Sequence, residues 1–292
     1  MDGFLNFNKP KGWTTYDSIR FLKNKLKEKK IGHAGNLDPN AEGVVVIGIG
    51  RATKLLPFVM ELEKVYIANI LFGILTDTWD VTGEIITRKE VPDIKKEEFL
   101  KILKEFEGYI NQVPPPFSAV KKKGKRLYEF AREGILLKTK PKRVHISEIE
   151  LLDFSLPECK IRVRCSKGTY VRTLAKEIAE KINTVGIVKE LLRERIGHFI
   201  IKDSVNEKTE NIEEKVLPVD YGVLHFPEVY LKEKGKEIFK KGGEVKMNLF
   251  LRFSTGIREL SLVRIYDNEG KFIGIGRFSK NKILPKRIIF KE

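Results

Sequence analysis

Gly32-His33-Ala34-Gly35-Asn36-Leu37-Asp38-Pro39-Asn40-Ala41-Glu42-Gly43-Val44 places one carboxylate in a glycine-flanked turn, directly before an apolar run that ends Gly48-Ile49-Gly50-Arg51-Ala52-Thr53-Lys54. An Asp before Pro often caps its own turn by bonding to nearby backbone. The same carboxylate can instead be a nucleophile or base, because Gly35 and Gly43 allow close backbone approach and His33 stands in the same segment. Acid and base work of the glycosidase kind needs a second carboxylate. Glu42 is available, without any sign in the sequence that it faces Asp38. At this level both readings of Asp38, cap and reacting group, stay open.

Outward from the turn, Ile47-Gly48-Ile49-Gly50-Arg51-Ala52-Thr53 is like a dinucleotide fingerprint only in outline. Thr53 holds the third glycine position, and Val65 to Phe72 supplies no acid for a ribose. Gly48 to Lys54 also lacks the spacing of a phosphate-binding GxxxxGK[ST] loop. No nucleotide cofactor is expected, and the Val44 to Ile49 run reads as rigid support behind the turn. Further along, Arg172 falls in the first turn of an expected helix, where the helix dipole gives a cation nothing. A surface ion pair would explain it. So would an external anion or a carboxylate: were that carboxylate Asp38, the pair would hold the acid in its charged form and fix its direction.

The whole chain has 292 residues, enough for one sizeable core and a small second domain. Its 56 Lys and Arg against 40 Asp and Glu give a formal charge of +16, which favours a polyanionic partner through steering and counterion release. Abundant Lys and Glu is also the composition of heat-stable proteins, so charge alone assigns no partner. There is no apolar run of membrane-spanning length, and Met1-Asp2-Gly3-Phe4 is not a signal peptide; the expectation is a cytoplasmic protein without a membrane. Cys159 and Cys165 read as buried small hydrophobes. His33, His145, His198 and His225 are too scattered to share a metal, so none is expected.

Ile19, Leu22 and Leu26 share a face of a helix near residues 16–27, and Val65 to Phe72, apolar on both faces, predicts a central strand. Asp80-Val81-Thr82-Gly83-Glu84 is a turn, and Phe99, Leu103 and Phe106 predict a helix over about 96–106. Gln112-Val113-Pro114-Pro115-Pro116-Phe117-Ser118 is extended, and the dense positive run Lys121-Lys122-Lys123-Gly124-Lys125-Arg126 follows. That run is either a solvated face or an arm over a phosphate backbone, docked by Leu127, Tyr128 and Phe130. Ile161 to Cys165 alternates as a strand, Lys167-Gly168-Thr169 supplies a turn and cap, and Val171, Leu174, Ile178 and Ile182 predict the next helix. Beyond a boundary near 225 come short strands at 229–231, 244–247, 261–266, 272–275 and 288–290, with Asp267-Asn268-Glu269-Gly270 as a hairpin turn.

Five blocks now stand in order: Gly32 to Pro39, Gly50-Arg51-Ala52-Thr53-Lys54, Lys64-Val65-Tyr66, Gln112-Val113-Pro114-Pro115, and Lys167-Gly168-Thr169-Tyr170-Val171-Arg172-Thr173-Leu174. Together they resemble the bacterial tRNA pseudouridine-55 synthases, the TruB family, over residues 4 to about 200. The tail, with Gly270-Lys271-Phe272-Ile273-Gly274-Ile275-Gly276, is similar to the PUA domain that accompanies them. The resemblance implies an α+β fold: a pseudouridine synthase domain (1–225) on a mixed, mainly antiparallel sheet flanked by helices, and a barrel-like PUA domain (226–292). It implies isomerisation of uridine 55 in the TΨC stem-loop of tRNA, by a monomer, without cofactor, metal or obligate protein partner.

By the same resemblance Asp38 is the nucleophile, Tyr66 stacks on the target base, Arg172 pairs with Asp38, and His33 contacts flipped-out RNA. Lys9 lies in the basic opening loop, and residues about 114–140 match the segment that closes on the RNA. Lys64, Lys121, Lys122, Lys123, Lys125, Arg126 and Lys167 join His33 and Lys9 as expected RNA contacts. Ala34 and Asn36 depart from the family's usual Thr and Ala, and Lys176-Glu177-Ile178-Ala179 replaces a more acidic pattern. Two rival functions remain: a non-catalytic tRNA-binding or folding protein, and a guide-RNA-dependent relative working inside a particle.

Overall fold

The computed structural model describes residues 1–118, 120–122, 124–135, 137 and 139–290. Its first strands are β1 (Gly3–Lys9), β2 (Ile31–His33), β3 (Glu42–Ile49) and β4 (Lys64–Phe72), with α1 (Thr15–Leu26) after β1 and α2 (Leu56–Glu61) before β4. A hairpin of β5 (Ile74–Thr76) and β6 (Ile85–Arg88) leads through α3 (Lys96–Lys104) to β7 (Gly108–Gln112). The basic run forms a second hairpin, β8 (Lys121–Lys122) and β9 (Lys125–Arg126), which feeds α4 (Leu127–Arg132). Then come β10 (Lys142–Ser155), β11 (Glu158–Cys165), α5 (Val171–Lys181), β12 (Gly186–Ile196) and β13 (Phe199–Ile200).

These strands make a nine-stranded sheet in the order β1-β3-β12-β4-β11-β10-β7, with β2 beside β3 and β13 beside β12. Each pairing in it is antiparallel except β3 with β12, so the sheet is mixed and mainly antiparallel, as the sequence predicts. Strand β4 lies near the middle, where Val65, Ala68, Ile70 and Phe72 are buried. One core sets β4 and β11 against Phe99 and Leu103 of α3 and Val171, Leu174 and Ile178 of α5. A second packs Ile19 and Leu22 of α1 on Phe7, Val45 and Ile47. Tyr66 touches both cores, which places its ring at the seam between them.

Local chemistry explains the helix starts. Thr14 and Asp17 form a reciprocal capping box ahead of α1, each side chain satisfying the other's backbone N–H. Helix α5 departs from expectation: its N-cap is Tyr170, without a side-chain cap, and the Thr169 hydroxyl donates instead to the Ser166 carbonyl. Helix α3 stops at Lys104, and Phe106 packs from the turn beyond it. On α5, Glu177 sits half-buried in a hollow with Glu105, Phe106 and Glu180, and burial pushes its carboxyl up to about 7. A raised folded pKa means that the unfolded chain ionises first, so this group removes stability as pH rises from its ordinary value of 4.5 to about 7. Glu177→Gln should therefore stabilise at pH 8 by about 1–2 kcal/mol after solvent screening, and by nothing at pH 4. Urea titrations at the two pH values check this, and an equal effect at both would contradict it.

The tail supplies β14 (Glu228–Leu231), α6 (Glu233–Lys240), β15 (Val245–Lys246), β16 (Phe250–Phe253), β17 (Leu262–Tyr266), β18 (Phe272–Ser279) and β19 (Lys282–Ile288). They form a six-stranded sheet, β15-β19-β18-β17-β14-β16, wrapped around Val229, Leu231, Phe239, Val263 and Ile283. Asp267 to Gly270 makes the β17–β18 turn, where the Asp267 carboxylate accepts from the Glu269 and Lys271 N–H groups. The last strand lies earlier than the predicted 288–290, and α6 and β16 are absent from the sequence reading. Apolar contact joins tail to main sheet: Tyr266, Phe272 and Ile275 share a core with Phe4, Leu55 and Phe199. The Tyr266 hydroxyl also donates to Asp220 Oδ2 at 2.6 Å.

Candidate active site

The Asp38 turn spans the gap between β2 and β3 and is held by its backbone. Leu37 N–H donates to the Thr15 hydroxyl at 2.9 Å, Gly12 N–H donates to the Pro39 carbonyl at 2.8 Å, and Ala41 N–H returns to the Asp38 carbonyl at 3.0 Å. The Asp38 side chain turns to Arg172, with Oδ2 2.9 Å from Nε. Its side chain is 40% exposed while that of Arg172 is 7% exposed, so the carboxylate is anchored from inside and open on one side.

Arg172 has more partners than the carboxylate. Its Nη1 donates to the Thr78 carbonyl and its Nη2 to the Phe117 carbonyl, both at 2.9 Å, and Asp80 Oδ2 lies 3.9 Å from Nη1. Asp80 is in turn fixed by the Thr78 hydroxyl at 2.8 Å and the Thr82 N–H at 2.9 Å. Two carboxylates and two carbonyls thus offset the cost of placing a cation at a helix N-terminus. The same end of α5 ties down residues 112–118: Gln112 and Tyr170 exchange two hydrogen bonds, and the Thr173 hydroxyl donates to the Val113 carbonyl at 3.0 Å. Tyr170 is a site residue that the sequence reading did not single out; burial pushes its phenol up, and both Arg172 and Asp38 act on it.

Tyr66 is partly buried on β4, and burial raises its phenol, with Arg193 opposing that rise and Asp38 adding to it. A neutral phenol hydroxyl is suited to holding or passing a proton. His33, at the end of β2, accepts the Gly35 N–H at Nδ1 over 3.2 Å, and burial lowers its imidazole below the ordinary value. It is therefore neutral near pH 7, with its proton on Nε2.

Lys9 and Lys64, expected as RNA contacts, are buried. The Lys9 side chain is fully buried, and Nζ donates to the carbonyls of Trp13 at 2.7 Å, Pro10 at 2.9 Å and Pro39 at 3.4 Å. Lys64 Nζ donates to Met60 and Leu62 carbonyls at 2.5 and 2.6 Å. Burial drops both ammonium groups to about 8. Each ammonium is held inside by backbone carbonyls and is not presented at the surface where the sequence places it. Lys167 is exposed and pairs with Glu61. Lys125 lies 3.7 Å from Glu133, and the Arg126 charge acts on the His33 imidazole. Lys123 lies outside the described residues. Among those described, no three His, Cys, Asp or Glu side chains converge as a metal would require.

One buried group in the site has no counterpart in the sequence reading. Arg193 of β12 is 2% exposed, and its guanidinium donates to the carbonyls of Val44 at 2.6 Å, Asn36 at 2.9 Å and Gly35 at 3.4 Å. Gly43 makes room for it: a Cβ there would lie 2.4 Å from the Arg193 carbonyl, and the φ of +112° itself demands glycine. The one signal in the sequence is a cation among Leu191, Leu192 and Ile196 on a strand-like stretch.

The chain's relatives agree with this fold. Residues 23–171 match the family model of the TruB family pseudouridylate synthase N-terminal domain, and residues 227–289 match that of the pseudouridine synthase II TruB C-terminal region. A tRNA pseudouridine synthase B from Clostridium kluyveri is 39% identical over 279 residues, covering 94% of this chain and 95% of that protein. One from Caldanaerobacter subterraneus subsp. tengcongensis is 40% identical over 290 residues, covering 99% of each. Among solved structures, a chain of a Cbf5-Nop10-Gar1 complex shares the fold, with a TM-score of 0.77 at 22% identity over 99% of this chain and 85% of that one. The chain belongs to the TruB family of pseudouridine synthases, which are isomerases.

Proposed function

We propose that this protein converts uridine 55 in the TΨC stem-loop of tRNA to pseudouridine, with Asp38 as nucleophile. The observation that carries the reading is the Asp38 carboxylate, open on one side and fixed on the other by the anchored Arg172. The likeness to tRNA pseudouridine synthase B proteins over nearly the whole chain supports the substrate class. In this reading, the target uridine leaves its stack, at a cost of a few kcal/mol. Stacking on Tyr66 returns about 1–3 kcal/mol of it. The N1–C1′ bond breaks, the uracil turns, and C5 bonds to C1′ while its hydrogen leaves and N1 gains one. Atoms and electrons balance without a co-reactant. Asp38 acts as the nucleophile on the flipped-out uridine, its bond to the nucleotide breaking again as C5 bonds to C1′ so that the free carboxylate is restored, and the Tyr66 hydroxyl serves the proton at C5.

His33, Lys167 and the segment 114–140 form the RNA-facing rim, and residues 226–292 act as a PUA-like RNA-binding domain; the protein works as a monomer in the cytoplasm. Replacing Lys121, Lys122, Lys123, Lys125 and Arg126 by alanine should weaken tRNA binding and flatten its salt dependence, by about 0.7–0.9 in log–log slope for every phosphate that is no longer neutralised. An unchanged slope would assign the run to a solvated face. The function itself is tested on a free TΨC stem-loop with no guide RNA and no other protein. Pseudouridine formation there supports a stand-alone enzyme; none there, with activity only when a guide is added, would favour the guide-dependent reading.

A further inference from the structure

We propose that Arg193 is a positioning residue for the reaction: it clamps the Asp38 turn from beneath and braces Tyr66 in register with it. The inference rests on the proposed roles of Asp38 and Tyr66. Arg193 is the largest side chain in the fully buried core, and among the described residues no carboxylate lies within ion-pair distance of it. A buried cation without an acid is costly unless strong acceptors surround it. Here three backbone carbonyls do so, and they bracket Asp38 on both sides, Gly35 and Asn36 before it and Val44 after it. One planar guanidinium thereby joins the turn to the strand that follows, at a fixed spacing that a flexible ammonium cannot reproduce.

The sheet supports this arrangement. Strand β12 runs between β3 and β4, so that Arg193 stands opposite Gly43 on one side and Tyr66 on the other. The ladder to β4 is irregular at this point, stepping from the Arg193–Tyr66 pair to Arg195–Val65. Such a bulge re-aims a side chain and is common beside active sites. The Arg193 charge also acts on the Tyr66 phenol, against the effect of burial. Arg172 therefore holds the carboxylate directly, while Arg193 holds the backbone that carries it and stands across the ladder from the residue whose ring would meet the base.

The test uses Arg193→Lys and Arg193→Gln in the full chain, with single-turnover rates on tRNA and separate binding measurements. Both variants should lose at least 100-fold in the rate of the bound complex, with Kd within about threefold of wild type. Amide hydrogen exchange at Asn36 to Asp38 should accelerate in both. Tyr66→Phe, added to Arg193→Gln, should cost at least tenfold less than it costs in the wild type, because the clamp acts through the tyrosine; a merely structural role predicts the same cost in both. Circular dichroism restricts the comparison to temperatures at which each variant is folded. Folded Arg193→Lys with a rate within threefold of wild type, or strictly additive losses in the Tyr66 cycle, would overturn the proposal. Absence of wild-type turnover on tRNA would instead count against the function, and the exchange data would still read the clamp.

Discussion

Asp38→Asn is expected to abolish tritium release from tRNA carrying 5-tritiated uridine, a loss of at least about 10⁴-fold, while tRNA binding stays within about tenfold. The C5 hydrogen must leave whenever C5 becomes bonded to C1′, so each turnover frees one tritium into water. Asparagine keeps the shape of the turn, whose hydrogen bonds run through backbone groups and Thr15. It removes only the charge and nucleophilicity of the Asp38 carboxylate. An Asp38→Asn protein that binds and still turns over would remove Asp38 from the chemistry.

Arg172→Gln should be nearly as damaging, for a different reason. The substitution takes a cation from two carboxylates, Asp38 and Asp80, and two carbonyls, Thr78 and Phe117. Because Asp38 keeps solvent on its open side, the loss of stability should be about 1–3 kcal/mol, below the cost of breaking a fully buried pair. The single-turnover rate should fall at least about 10³-fold, since Asp38 loses its orientation as well as its counter-charge. Arg172→Lys should recover part of the stability and little of the rate, because one ammonium cannot address four acceptors on different elements. Urea titration and single-turnover kinetics on the same samples check both halves. Near-wild-type rate in a folded Arg172→Gln would show that the ion pair is structural only.

The two ends of the site differ in how far the sequence discloses them. Asp38 and Arg172 stand in local patterns: a Gly-flanked turn before a strand, and a cation at the wrong end of a helix. Each pattern has a physical oddity that asks for a partner, and the five ordered blocks supply the family. Strand β4, helices α1 and α5, and the β17–β18 turn are legible because apolar period and turn chemistry are local.

Burial of a cation is not local. Lys9 and Lys64 look like a basic surface in the sequence, and only the carbonyls of residues 10, 13, 39, 60 and 62 draw them inward. Arg193 is hidden for the same reason: its burial depends on β12 being inserted between β3 and β4, a pairing between segments about 130–150 residues apart that no propensity encodes. Helix α6 escaped notice because Glu233 to Lys240 is mostly charged, and it is held by Gly235, Ile238 and Phe239 against the tail's own core. Tertiary packing, not propensity, stabilises so short a helix.

The most direct measurement maps pseudouridine at single-nucleotide resolution in unmodified tRNA treated with the wild-type protein and with Asp38→Asn, with no other macromolecule present. Modification at position 55 by the wild type and none by the variant is the expected result. Modification elsewhere, modification by the variant, or none by the folded wild type would contradict it.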